Sequence, residues 1–157
     1  MKKRNKTTWW VVGVFIAIAA LLVIPQLTDP HKEIKAYWAE NGVECLSQGH
    51  ANLAQHIHPH LEIIIDGEEE PVSANIGLVS TCMAEIHTHD TRGEIHIESV
   101  DANKEFTLQN FFTVWGKNLE REGYSLNVLV EGESIDNPQD LILEDLQQIE
   151  INYISVN

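Results

Sequence analysis

The stretch AEIHTHDTRGEIHIES, residues 84–99, constrains the fold more than any other part of this chain. Isoleucine alternates with histidine and glutamate on both sides of the turn-forming run DTRG, the period-two pattern of a strand with one apolar face. Pairing His89 with Glu94 also sets His87 opposite His96, Ile86 opposite Ile97, Glu85 opposite Glu98 and Thr88 opposite Ile95. One face of that hairpin is then His and Glu, and the other is mostly isoleucine. A slip of one residue would mix the two faces, so the pattern itself selects the register.

A second alternating run, HIHPHLEIIIDG, lies upstream. His56, His58 and His60 alternate with Ile57, Pro59 and Leu61, as on one face of a strand. Pro59 has no N–H to donate, which places the strand at a sheet edge or makes its first half irregular. DGEEEP reads as a solvated turn, because its carboxylates lack the spacing of a calcium loop. Downstream, Leu108, Phe111, Phe112 and Trp115 fall at helical spacing after Thr107, a capping residue, with Gly116 or Gly123 as the stop. These apolar side chains are expected in the core. YSLNVLVEGESI reads as a strand entering an acidic glycine turn, and LILEDLQQIEINYI as one or two closing strands. The expected class is α+β, a small mixed β-sheet crossed by one helix in the manner of a β-grasp unit.

The chain opens with MKKRNKTT, which is basic, and then runs apolar from Trp9 to Ile24, interrupted only by Gly13. That run is about long enough to span a bilayer as a helix, and the small-x-small site between Ala17 and Ala20 lies inside it rather than after it. The reading is an uncleaved N-terminal membrane anchor over 1–27, with the basic end on the cytoplasmic side and the rest of the chain extracytoplasmic. Residues 28–55 then form a juxtamembrane linker with a short helix, HKEIKAYWAE, and 56–157 the His-rich domain. The formal net charge is −14, and all 24 acidic residues follow Thr28. Such a surface repels nucleic acid and attracts cations.

Six of the eight histidines lie between His56 and His96. Histidines at i and i+2 on a strand are about 6–7 Å apart on one face, close enough for both rings to turn toward one ion. We therefore read His87, His89 and His96 as the core of a transition-metal site, with His56, His58 and His60 completing it or relaying the ion. Asp90 and Glu98 would orient ring N–H groups. Three histidines with an open position suit zinc and a thiolate with histidines suits copper, so the expected cofactor is a copper or zinc ion. Cys45 and Cys82 are either a disulfide of an oxidising compartment or soft ligands. The implied function is metal binding or delivery, with a metal donor or acceptor protein as partner. Two alternatives stand beside it: a metal-dependent envelope hydrolase with Glu85, Glu94 or Glu98 as base, and a metal-free interaction or assembly domain whose histidines respond to pH below about 6.5. No H-E-x-x-H, G-x-S-x-G or phosphate loop supports catalysis.

The segments HIHPHLEIIIDGEE, VSANIGL, IHTHDTRGEIHIES and FTLQNFFTVWGK resemble an uncharacterised family of small membrane-anchored or secreted bacterial and archaeal proteins. Its motif series is H-x-H-x-H-L, I-G-I, H-T-H-D and I-H-I-E, matched over roughly residues 45–120. The resemblance implies extracytoplasmic placement and marks His56, His58, His60, His87, His89, Asp90, His96 and Glu98. It implies no substrate and no particular metal.

Overall fold

The computed structural model describes residues 14–15, 29–46 and 49–156. Glu33–Asn157 form one compact unit. The other unit, Met1–Lys32, is described at 14–15 and 29–32 alone, where Asp29 accepts the His31 and Lys32 backbone N–H groups ahead of a helix. Helix α1, Lys32–Glu40, ends at Asn41 and at Gly42 with φ +80°. In the compact unit Trp38 and Val43 are buried in the core, so the segment before the first strand packs as part of the domain.

Ten strands follow: β1 Gln55–Ile57, β2 His60–Ile65, β3 Glu68–Glu69, β4 Leu78–Val79, β5 Cys82–Met83, β6 Ile86–His87, β7 His96–Ser99, β8 Tyr124–Val130, β9 Glu133–Ser134 and β10 Gln148–Ser155. Helix α2, Leu108–Trp115, lies between β7 and β8. These strands make three sheets among the described residues, ordered β1-β7-β6, β3-β2-β10-β8-β9 and β4-β5.

This corrects the expected β-grasp arrangement of one small sheet crossed by one helix. The upstream histidine run is not one strand. It breaks at His58–Pro59, so β1 pairs antiparallel with β7 while β2 pairs parallel with β10 in the larger sheet. Proline supplies the reason: it cannot extend a ladder on both sides, and the buried Pro59 instead accepts from Ile95 N through its carbonyl. Two α-helices, the short one over HKEIKAYWAE and the crossing one, are present among the described residues, and none there is long and apolar enough to cross a membrane. The anchor expected over 1–27 lies outside the described residues, apart from Val14 and Phe15.

The hairpin register is the one that alternation selects, with Ile86 opposite Ile97 and His87 opposite His96. Ile86, Ile95 and Ile97 are fully buried. Burial of each contributes about 1.5–3 kcal/mol, and a slipped register would forfeit it. On the other side of the core, Leu61 and Ile63 of β2 sit beside Ile149 and Ile151 of β10, and Ile151 beside Val128 of β8. Helix α2 begins at a capping box formed by Thr107 and Asn110 and closes at Gly116 in the left-handed conformation. Leu108, Phe111 and Phe112 bury its inner face, as their spacing requires.

Two glycines let the chain close around the hairpin. Gly77 has φ +74°, and a Cβ there would lie 2.6 Å from Ile86 O and 3.1 Å from His87 Cβ. Gly93 has φ +85°, and a Cβ there would lie 2.1 Å from Leu61 O. Backbone cannot yield cheaply at such a distance, so Gly93→Ala should cost about 2–4 kcal/mol in urea unfolding. Gly132 has a similar φ, +82°, with nothing within 4 Å of its Cβ position. Gly132→Ala should cost only about 1 kcal/mol, which separates crowding from backbone preference.

Candidate metal centre

The three-stranded sheet carries its histidines in rows across the strands. His56 lies opposite Glu98 and His87 opposite His96, while continuation of the same register brings His58 beside His96. His89 follows β6 at the hairpin tip, and His50 enters from the turn before β1. The result is a run of rings in contact. Centroid separations are 4.6 Å for His56–His58, 4.7 Å for His58–His96, 4.6 Å for His89–His96 and 4.9 Å for His87–His89. His50 stands 6.2 Å from His87 and 6.1 Å from His89.

Two triads have the ligand geometry for an ion: His87, His89 and His96, and His56, His58 and His96. Within each, one nitrogen per ring lies within 4.8 Å of the other two. Ligands 2.0–2.1 Å from a tetrahedral ion are separated by about 3.3 Å, so only small ring movements are needed.

The hydrogen bonds decide which nitrogen each ring offers. His87 Nδ1 is 2.9 Å from Ala84 O, and a carbonyl only accepts, so Nδ1 carries the proton and Nε2 the lone pair. His96 Nε2 is 3.1 Å from Glu94 Oε1, which likewise leaves the lone pair on Nδ1. His87 Nε2 and His96 Nδ1 are both buried and have no hydrogen-bond partner among the described residues. Two unpaired acceptor nitrogens, on rings stacked at 5.4 Å, carry an unfavourable desolvation that a bound cation would relieve.

Glu98 and Glu85 are neighbouring buried carboxylates with different surroundings. Glu85 receives Lys104 Nζ, Ser99 Oγ at 3.0 Å and the Glu44 backbone N–H at 2.9 Å, and is fully engaged in holding the fold. Glu98, with no exposure, pairs with His50 Nδ1 at 2.8 Å and His56 Nε2 at 3.1 Å. No lysine or arginine bridges it among the described residues. It therefore directs the free lone pairs of His50 and His56 away from itself, as a carboxylate behind a metal-bound histidine does. Its buried charge is one a cation nearby would balance.

The other expected site residues fall elsewhere. His60 starts β2, and its backbone N–H donates to Gln147 O; its ring belongs to neither triad. Its backbone still bridges Glu94 of the hairpin, one residue beyond Pro59. Asp90 turns both carboxylate oxygens to Arg92, through the backbone N–H at 2.9 Å and Nε at 2.8 Å, and this pairing holds its carboxyl below the usual range. Its contacts are those of a turn rather than of a ring N–H. Cys45 and Cys82 are joined in a disulfide with Cα atoms 5.4 Å apart, which removes the soft-ligand alternative. The bridge ties Cys45 to the strand that leads into Ala84, the residue that orients His87. His50 was not singled out in the sequence because it stands outside any H-x-H spacing, 48 residues from Glu98. A lone histidine in a glycine turn carries no signal of its own.

Burial pushes the His87 imidazole down to about 4, against opposing pulls from the Ala84 carbonyl and Glu98. Burial, and then the neighbouring His89 and His58, also lower His96. Both rings are thus held neutral, the form that binds metal. Between pH 6.5 and 4 the unfolded chain binds a proton at this position that the folded chain does not. Stability is accordingly full above 6.5 and falls on acidification, by as much as about 3 kcal/mol from His87. Urea unfolding of the metal-free protein across that range should show this slope, and His87→Asn should flatten it. No protein-family profile, no curated protein and no solved structure matches this chain.

Proposed function

We propose that this protein binds a single transition-metal ion, copper(II) or zinc, on His87, His89 and His96, and serves to hold or hand on that ion rather than to catalyse a reaction with it. The observation that carries the reading is the pair of buried nitrogens, His87 Nε2 and His96 Nδ1, unpartnered among the described residues, in a triad whose ligand atoms lie within 4.8 Å of one another. The all-nitrogen donor set favours copper(II) over zinc at equal supply, following the usual order of divalent ions. A formal net charge of −14 adds long-range attraction for cations. The disulfide supports placement in an oxidising compartment outside the cytoplasm, where a metal donor or acceptor protein would meet it.

The test is titration of the purified protein with copper(II) and, separately, zinc, followed by calorimetry and elemental analysis. One equivalent should bind. His96→Asn should weaken binding by more than about 100-fold, and Glu94→Gln by about 10–100-fold, through loss of orientation of the His96 ring. His60→Asn should leave it unchanged. Absence of binding tighter than about millimolar by the folded protein would refute the reading.

A further inference from the structure

The His56, His58 and His96 triad is a second, complete ligand set that the site on His87 and His89 does not need. Resting on the metal-binding reading above, we propose that this outer triad is the loading and release port for the same ion, which passes to and from the inner triad while remaining bound to His96.

The first ground is the shared residue. His96 belongs to both triads, and a neutral imidazole has one lone pair. Two ions cannot both be held through it unless the ring loses its remaining proton, the one facing Glu94. The triads are therefore alternative seats for one ion. The second ground is continuity. His58 and His89 flank His96 at 4.7 and 4.6 Å, so leaving one seat and entering the other exchanges His56 and His58 for His87 and His89 around a fixed ligand. A path of this kind never strips the ion of all its protein ligands. The third ground is exposure. His56 has 46 % of its side chain exposed and His96 17 %, whereas His87 has none. His89 of the inner set is exposed as well, so the sets differ in that a donor or competing ligand approaching from solvent meets no fully buried member in the outer one. Glu98 holds His56 from behind, so the port is oriented rather than loose.

The inference is tested on the full chain with copper(II) itself as the probe. Equilibrium titration and native mass spectrometry give the stoichiometry, and stopped-flow transfer of the ion to excess EDTA gives the release rate. The wild type should bind one ion. A His56→Asn, His58→Asn double variant should keep one ion, with affinity within about threefold, and release it at least about tenfold more slowly. These side chains are exposed or half-buried, so the variant should fold, which its unfolding curve checks. A His89→Asn variant should still bind one ion, with an altered copper electron paramagnetic resonance spectrum as the outer triad takes over. Two ions per chain with magnetically coupled spectra would overturn the proposal in favour of a binuclear centre. An unchanged release rate in the double variant would overturn it while leaving the inner site standing. No binding by the wild type would refute the site as a whole, an outcome distinct from both.

Discussion

The pairing of His87 with His96 across the hairpin organises the rest of the site, and its register is enforced from the opposite face. Ile86, Ile95 and Ile97 are all fully buried, and only one register buries all three together. Hydrophobic burial thus positions the imidazoles without touching them. The hairpin stands as a rigid support because β1 adds to its free edge, the disulfide ties Cys45 to β5 just ahead of β6, and α2 packs beside Gly77. A centre on strands supported in this way needs less reorganisation to accept an ion than one made from loops.

Around that support, oxygen acceptors assign the tautomer of each ring. Ala84 O holds His87, Glu94 holds His96, and Glu98 holds both His50 and His56. Four rings therefore turn one N–H toward an oxygen and leave one lone pair for another use. The contrast between Glu85 and Glu98 shows how two buried acids in adjacent strands take different parts. Lys104 neutralises the first, and among the described residues the ion-pair partners of the second are imidazoles. Tautomer choice, the depressed basicity of His87 and a ligand set that could hold an ion are in this sense one arrangement seen from three directions.

Pro59 draws the boundary of the site. Upstream of it the chain belongs to the histidine sheet, and downstream of it β2 joins the five-stranded sheet through β10 while His60 still bridges Glu94 of the hairpin. Three histidines equally spaced in sequence are consequently unequal in space: His56 and His58 join the rings, while His60 leaves with β2. The backbone keeps the hairpin register past the proline, with His60 bridging Glu94, but His60 lies nearer the hairpin tip and is also where pairing with β10 begins.

What the sequence by itself determined were the features that depend on near neighbours. The hairpin and its register, the capped helix over the Phe111 and Phe112 stripe, and the turns at Asp66–Gly67 and Glu131–Gly132 follow from periodicity and from residues that tolerate positive φ. The grouping of His87, His89 and His96 was legible for the same reason. Only the tertiary structure decided the rest: the docking of β1 on β7, the parallel pairing of β2 with β10, the arrival of His50 at Glu98 and the burial of Glu98 itself. Each of these joins segments dozens of residues apart, and the free energy that selects them comes from a shared core rather than from any local pattern. A strand of alternating histidines states which side chains share a face, but whether that face meets water or other strands is settled by what packs over it.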